Sequence, residues 1–170
     1  RICFVYANDV WVAPKAGGMA TPLASPPGQE AFPRFSPDGK SVLTVINLSR
    51  RPELWRIPRG RPWPEQLTFA EQRIEQVRWA TDGRSFAFTS DQNGDEQWRL
   101  FLLPAAGGEP RPLTPKGPGQ HFIVDFSRDG RTLYFSSNAR DLRFFDLLSV
   151  DVTTGATRTV HTGKGLILGE

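Results

Sequence analysis

The chain has 170 residues, of which 38% are hydrophobic and 23% charged, with 16 Gly, 15 Pro and a formal net charge of +3. It is long enough for one ordinary domain, and its 12 Phe and 5 Trp supply enough apolar material for a core. The absence of a run of about 18 apolar residues excludes a spanning helix, and the single Cys excludes an internal disulfide.

Residues 1–24 contain three short strand-like runs separated by turn residues, among them Gly17-Gly18. The chain begins inside the first of these runs, without an initiator Met or a signal peptide. We therefore expect a piece of a longer polypeptide, whose targeting signals would lie outside these residues.

Residues 30–68, 74–114 and 121–160 each contain four such runs in the same order. The first run ends in an aromatic residue, an Asp-Gly pair follows, and a β-rich run comes next. The Asp-Gly pairs begin at positions 38, 82 and 129, so they are 44 and then 47 residues apart. Asp-Gly between two strands predicts a tight hairpin, because such turns need positive φ.

A second half-motif repeats with the same period: an apolar third strand, a turn with Gly, and a short fourth strand. The closing positions of the fourth strands are Leu23, Leu67, Leu113 and Val160, which are 44, 46 and 47 residues apart. A period of about 40–45 residues with four strands is typical of a propeller blade. The sequence predicts an all-β fold, a partial β-propeller of about four blades of four-stranded antiparallel sheets, in one domain fragment. Residues 1–24 form an incomplete first blade, and residues 161–170 begin a further strand.

The charge pattern does not favour a nucleic-acid partner. The sequence pI is about 9.4, but acidic and basic residues alternate along the chain and no long basic run occurs. The densest basic patch lies around Arg50-Arg51 and Arg56 to Arg61, next to turn residues. We expect these to be solvated loop and edge arginines rather than a nucleic-acid surface.

The residues needed for catalysis or for binding a cofactor are missing from the sequence. No Gly-x-Ser-x-Gly elbow occurs, and the two histidines, His121 and His161, show no pattern of a triad. The oxygen-rich run from Asp91 to Asp95 fails as a calcium loop, because Glu96 stands where the loop needs Gly. We predict no catalytic residue, metal site or cofactor site in this chain.

The repeat resembles a known group of propellers. The Asp-Gly half-motif with its following strand resembles the PD40 repeat of TolB-like propellers. Segments 89–101 and 135–146 resemble blades of the prolyl oligopeptidase family, in its acylaminoacyl-peptidase and dipeptidyl-aminopeptidase branch. Residues 1–12 with Gly17-Gly18 are also similar to tricorn-type propellers. Thr81 and Arg128 stand where the repeat usually has Pro, and the catalytic half of the family is absent.

The resemblance implies a parent serine peptidase, a hydrolase, in which this segment gates peptide access to an α/β-hydrolase domain absent from the chain. The implied partners are that domain and the remaining blades of the same protein, peptide substrates, and a second copy in a homo-oligomer. No catalysis by this chain alone is expected. The links between second and third strands supply the candidates for substrate gating or interdomain contact: Asp95, Glu96, Arg140 and Arg143.

Two alternatives stay open. Arg140 and Arg143 could instead form local ion pairs with Asp141 or Asp146, which would steady a long hairpin. The whole chain could belong to a non-catalytic TolB-like or tricorn-like propeller that acts as a protein-interaction scaffold. We expect a cytoplasmic protein, or a periplasmic one if it is TolB-like.

Overall fold

The computed structural model describes residues 1–24, 28–48, 51–61, 63–69, 73–91 and 94–164. All regular elements in these ranges are strands, which confirms the all-β prediction. No described segment forms a helix long and apolar enough to cross a membrane. The chain divides into two compact units, residues 1–74 (unit 1) and residues 75–170 (unit 2).

Unit 1 contains two antiparallel sheets in which strands adjacent in sequence are neighbours. Sheet 1 has three strands, β1 (Ile2–Tyr6), β2 (Asp9–Ala13) and β3 (Thr21–Ala24). Sheet 2 has four strands, β4 (Gln29–Phe35), β5 (Ser41–Leu48), β6 (Arg51–Pro58) and β7 (Glu65–Gln66).

Unit 2 contains the other two sheets, each four-stranded and ordered in the same way. Sheet 3 has β8 (Ile74–Trp79), β9 (Ser85–Ser90), β10 (Arg99–Pro104) and β11 (Arg111–Pro112). Sheet 4 has β12 (His121–Phe126), β13 (Thr132–Asp141), β14 (Phe144–Asp151) and β15 (Thr157–His161). The further strand expected within residues 161–170 falls largely on residues 165–170, outside the described residues.

The Asp-Gly pairs lie in the hairpin loops that the sequence predicts. In the loop between β4 and β5, the Ser36 N–H donates to the Ser41 carbonyl at 2.9 Å, and the Gly39 N–H donates to the Ser36 carbonyl at 2.8 Å. Within this loop only Gly39 has positive φ, at 66°. The Asp38 carboxylate accepts the N–H of Lys40, two residues on, at 3.0 Å. The same hydrogen bonds recur at residues 80–85 and 127–132.

The fourth-strand Leu-Thr motif closes sheets 2 and 3 with a side chain. The Leu54 N–H donates to the Thr68 hydroxyl at 2.9 Å, and the Leu100 N–H donates to the Thr114 hydroxyl at 3.0 Å. The preceding leucines, at 67 and 113, pair through the backbone with the carbonyls of the same two residues. Beyond the end of each short fourth strand, a threonine hydroxyl therefore accepts the hydrogen bond of a third-strand N–H that would otherwise lack a partner.

The core of unit 2 lies between sheets 3 and 4. Each side chain there removes apolar surface from water, and a fully buried Leu or Phe contributes about 1.5–3 kcal/mol. The buried cluster consists of Ala80, Ala87, Leu100, Leu113, Phe126, Leu133, Phe135 and Val150. Two stacked blade faces thus supply the cover that neither sheet has alone.

Candidate functional site

Three segments of unit 2 meet at one end of sheets 3 and 4. They are residues 94–98, 117–121 and 138–143, which we call the rim. The Gly119 N–H donates to the Gln97 side-chain oxygen at 2.6 Å, and the Gln120 N–H donates to the Asn138 side-chain oxygen at 2.6 Å. The segment 117–121, which connects sheet 3 to sheet 4, is therefore hydrogen-bonded to both of the other rim segments.

Gly119 is required by this arrangement. Its φ is +117°, and a Cβ at this position would lie 2.8 Å from the Ala139 Cα. Any side chain would collide with the backbone of the neighbouring segment and would also strain its own. The rim is consequently close-packed at its centre as well as hydrogen-bonded.

Arg140 forms a two-pronged ion pair with Asp146. Its Nε and Nη2 atoms lie 2.6 and 2.9 Å from the two carboxylate oxygens, and Nη2 also donates to the Gly163 carbonyl at 3.2 Å. Asp146 is buried and accepts the Gly163 N–H at 2.9 Å. These bonds raise the pKa of Arg140 and lower that of Asp146.

Arg143 pairs with Asp141, two residues before it. The guanidinium donates to both carboxylate oxygens, at 3.0 and 2.8 Å, and lies 5.2 Å from the centre of the Phe144 ring. Hydrogen bonds from the Arg143 side chain and backbone lower the pKa of Asp141 to about 2. Both candidate arginines thus make the local ion pairs of the structural alternative, and a gating role for them stays a prediction.

Asp95 and Glu96 lie on the exposed side of the rim. The Asp95 carboxylate accepts the Gln97 N–H at 3.0 Å. Glu96 has a φ of 56°, rare for a residue with a side chain, and its carbonyl accepts from the Gln120 amide at 3.4 Å. Their part in gating also stays a prediction, although the structure brings them to the same rim as the arginines.

The histidines and turn serines are engaged in structural contacts. His121, expected at a loop end, begins β12 and is buried, with its Nδ1 atom 2.9 Å from the Trp98 carbonyl. Burial lowers the pKa of His121. Ser36 and Ser127 donate to the aspartates of their own turns. Within the described ranges no cluster of three or more His, Cys, Asp or Glu could hold a metal ion.

Sequence reasoning missed three polar residues whose side chains join the rim segments, Gln97, Gln120 and Asn138, whereas it had named Asp146 as a possible partner of Arg140. A signal was available for Asn138, since Asn47, Asp91 and Asn138 repeat at 44 and 47 residues. A polar residue in phase with the Asp-Gly period therefore lies within three residues of the end of β5, β9 and β13. Gln97 and Gln120 belong to the irregular segments and carry no such period.

The comparisons place the chain among propellers of peptidases and of TolB. No protein-family profile matches it. It is 30% identical over 138 residues to tricorn protease homolog 1 of Streptomyces coelicolor, covering 80% of this chain and 12% of that protein. It is 24% identical over 145 residues to dipeptidyl aminopeptidase BIII of Pseudoxanthomonas mexicana, covering 83% of this chain and 21% of that protein.

A solved structure of TolB from Acinetobacter baumannii shares the fold. The TM-score is 0.74 at 23% sequence identity, over 95% of this chain and 39% of the TolB chain. The partial β-propeller is thereby confirmed, and so is the resemblance to peptidase and TolB-like propellers. The chain spans only a minor part of each of these three proteins.

Proposed function

We propose that this chain, a β-propeller segment related to those of prolyl oligopeptidase-type peptidases and TolB, gates peptide access to a catalytic α/β-hydrolase domain. The observation that carries the proposal is the similarity to a tricorn protease homologue and a dipeptidyl aminopeptidase, each over at least 80% of the chain. The peptide bond would be broken by the partner domain. The propeller would decide which chains reach it.

The fastened rim of unit 2 suits a gate. An opening excludes folded proteins only if its edge keeps its shape, and hydrogen bonds through Gln97 and Asn138 hold the three rim segments to one another. The exposed charges of Asp95, Glu96 and Arg143 stand at this edge, where they would meet the ends of a peptide. Loops on a rigid scaffold commonly carry such selectivity.

The first experiment determines what the gene encodes beyond Glu170. We expect the reading frame to continue with a domain of several hundred residues that contains a Gly-x-Ser-x-Gly elbow. The full-length protein should then react with a serine-directed fluorophosphonate and hydrolyse acylaminoacyl or dipeptidyl anilides, whereas residues 1–170 alone should do neither. A reading frame without the elbow, or hydrolysis by residues 1–170, would refute the proposal.

The second experiment tests gating itself. In the full-length enzyme, Asn138→Ala should loosen the rim and increase cleavage of long peptides several-fold, with little change for a dipeptidyl anilide. Ser85→Ala, at the other end of sheet 3, is the matched control and should change neither rate. Equal effects of Asn138→Ala on long and short substrates would contradict a gate.

A scaffold function is the second candidate. It is favoured by the match to TolB structures, one of which aligns over 89% of this chain at 26% identity. A scaffold predicts a reading frame that ends soon after the last blade and a stable protein partner in a pull-down. The gene sequence therefore separates the two candidates.

A further inference from the structure

Two large apolar side chains are exposed at the same end of unit 1. Met19, in the loop from β2 to β3, is 88% exposed, and Trp63, in the loop from β6 to β7, is 79% exposed. The two loops are neighbours, because Lys15 and Arg59, four residues before Met19 and Trp63, line the same cleft. A Trp side chain is mostly buried in folded proteins, so its exposure here needs an explanation.

The exposure of these two positions does not come from a missing strand. Trp63 belongs to sheet 2, which has four strands. Sheet 3 also has four strands, and its loop from β10 to β11 carries Glu109 after Gly107-Gly108, where sheet 1 carries Met19 after Gly17-Gly18. Glu109 is exposed as well, so the turn itself leaves this position in solvent.

The loops around Met19 and Trp63 are cationic. The three loops at this end of unit 1 span residues 14–20, 36–40 and 59–64, and their basic residues are Lys15, Lys40, Arg59 and Arg61. Their one acidic residue is Asp38. The guanidinium of Arg59 is held beside the Asp-Gly loop, since its Nη1 atom donates to the Gly39 carbonyl at 3.1 Å.

Two carboxylates at this end reduce the positive charge without cancelling it. The exposed Asp38 carboxylate accepts from the Ser36 hydroxyl at 2.7 Å and lies 3.8 Å from the Lys40 Nζ atom. Glu65 is bonded to Arg56 and lies 3.7 Å from the Arg61 guanidinium. Lys40 and Arg56 thus match the two acids, and the charges of Lys15, Arg59 and Arg61 remain.

The loops of unit 2 that correspond by the repeat lack this combination. Ala105 and Glu109 stand where unit 1 has Lys15 and Met19, and the loop from β14 to β15 has neither a basic nor an aromatic residue. The unit 2 loops contain equal numbers of basic and acidic residues, namely Arg84, Arg128 and Arg131 against Asp82, Glu109 and Asp129. The exposed apolar side chains and the positive charge are therefore not part of the blade pattern.

We propose that this end of unit 1 binds the surface of a membrane that contains anionic lipids. Met19 and Trp63 enter the interfacial layer, where an indole keeps its ring in apolar surroundings and its N–H in a polar one. The cationic loops lie at the level of the lipid phosphates. A fluid layer closes around two apolar side chains on separate loops, whereas a folded partner needs a matching pocket for each. This surface is independent of peptide gating.

Sedimentation with lipid vesicles tests the proposal. At low ionic strength the 170-residue chain should pellet with vesicles of phosphatidylcholine and phosphatidylglycerol. It should bind vesicles of phosphatidylcholine alone at least tenfold more weakly, because they lack the anionic surface. Added salt should weaken the binding by screening the charges. Equal binding to the two kinds of vesicle, or binding to neither, would overturn the proposal.

The apolar contribution is tested by truncation. Trp63→Ala should weaken binding to the anionic vesicles about tenfold and Met19→Ala severalfold, because each removes apolar surface that enters the lipid. Phe69→Ala is the matched control, since Phe69 is 80% exposed but follows β7 toward the other end of sheet 2. It should leave binding within twofold. Vesicle binding that none of these variants changes would show adsorption by charge alone and overturn the proposal.

The cationic contribution is tested in the same assay. Replacing Arg59 and Arg61 together by Gln should weaken binding about twentyfold, at roughly fivefold for each charge near the lipid surface. Replacing Arg143 and Arg158 by Gln is the control, because it removes the same charge at exposed positions of unit 2, and it should leave binding within threefold. A single-stranded oligonucleotide that binds through Trp63 while vesicles do not bind would show a nucleic-acid surface and overturn the proposal.

Discussion

The Glu30 carboxylate accepts a hydrogen bond from the backbone N–H of Val10, and so joins β4 of sheet 2 to β2 of sheet 1. In sheets 2 and 3 the equivalent N–H groups, those of Leu54 and Leu100, donate to a fourth-strand threonine. The corresponding residue of sheet 1 is Ala24, the last residue of its third strand β3, and alanine has no hydroxyl. A carboxylate from the next sheet thus takes the place of the missing threonine.

This exchange predicts a stability that depends on pH. Glu30 is 3% exposed, and burial raises its pKa from 4.5 to about 7. The native state then binds more protons than the unfolded state between these pH values, so the free energy of unfolding should fall as the pH rises from about 4.5 to 7. The upper bound of the loss is about 3 kcal/mol.

Glu30→Gln tests this linkage. The amide keeps an acceptor for the Val10 N–H and cannot ionise, so the variant should lose the pH dependence and be more stable than the wild type at pH 8. Urea unfolding at pH 5 and pH 8 measures both quantities. Glu109→Gln, at an exposed position, is the control and should keep the wild-type slope. An unchanged slope in Glu30→Gln would exclude Glu30 as its source.

The hydrogen bond from the Leu100 N–H to the Thr114 hydroxyl should contribute about 1–3 kcal/mol to the free energy of unfolding. Thr114→Val keeps the shape but leaves the buried Leu100 N–H without its acceptor, and that desolvated donor carries the cost. Thr114→Ser retains a hydroxyl and should recover most of the stability. Urea unfolding measures the loss, and amide hydrogen exchange at Leu100 should quicken in the valine variant. If Thr114→Val and Thr114→Ser were equally stable, the hydroxyl at position 114 would not contribute to stability.

The repeat made most of the architecture predictable, because turn and closure residues recur in phase. Asp38 and Thr68 mark a turn and a fourth strand in the sequence; the structure has a turn at Asp38, and the fourth strand β7 ends at Gln66, two residues before Thr68. The prediction of hairpins at the Asp-Gly pairs was confirmed, and the glycines of these pairs, Gly39, Gly83 and Gly130, have positive φ. A two-residue turn occurs at Ala7-Asn8, both at positive φ, which propensity does not favour at Ala7.

The contacts between neighbouring sheets could not be predicted. Glu30 reaches Val10 across 20 residues, and Gln97 reaches Gly119 across 22. Neither contact follows the period of the repeat, because each depends on the rotamer of one long side chain. The candidate rim residues were found through loop length alone, so the sequence located the rim but not the groups that fasten it.

Gly130 and Gly39 form a matched pair of positive-φ positions. Replacing either glycine by Ala forces a residue with a Cβ into the left-handed conformation, which should lower the free energy of unfolding by about 1–2 kcal/mol. At Gly130 the Cβ also presses on Asp82, so Gly130→Ala should cost roughly 1 kcal/mol more than Gly39→Ala. Urea unfolding of both variants gives the difference. Equal losses of stability in the two variants would mean that the turn at Asp82 moves away from the new Cβ without a cost in free energy.

The Arg140–Asp146 pair should act as a clamp on the chain at Gly163. Asp146→Asn removes the charge that Arg140 binds and weakens the acceptor of the Gly163 N–H, so exchange of that amide should quicken on the order of tenfold. The pKa of Asp146 is lowered, so its contribution to stability is present above pH 3.8 and is lost as the pH falls below that value. The variant should therefore lose less stability on acidification than the wild type.

Arg143→Ala is the comparison for this clamp, because Arg143 is exposed and its partner Asp141 lies only two residues away. Exposed pairs contribute little to stability, so its unfolding midpoint should stay near the wild-type value while that of Arg140→Ala falls. If Arg140→Ala leaves both the midpoint and the Gly163 exchange rate unchanged, Arg140 is not needed for folding. The Arg140–Asp146 pair would then not act as a clamp on Gly163.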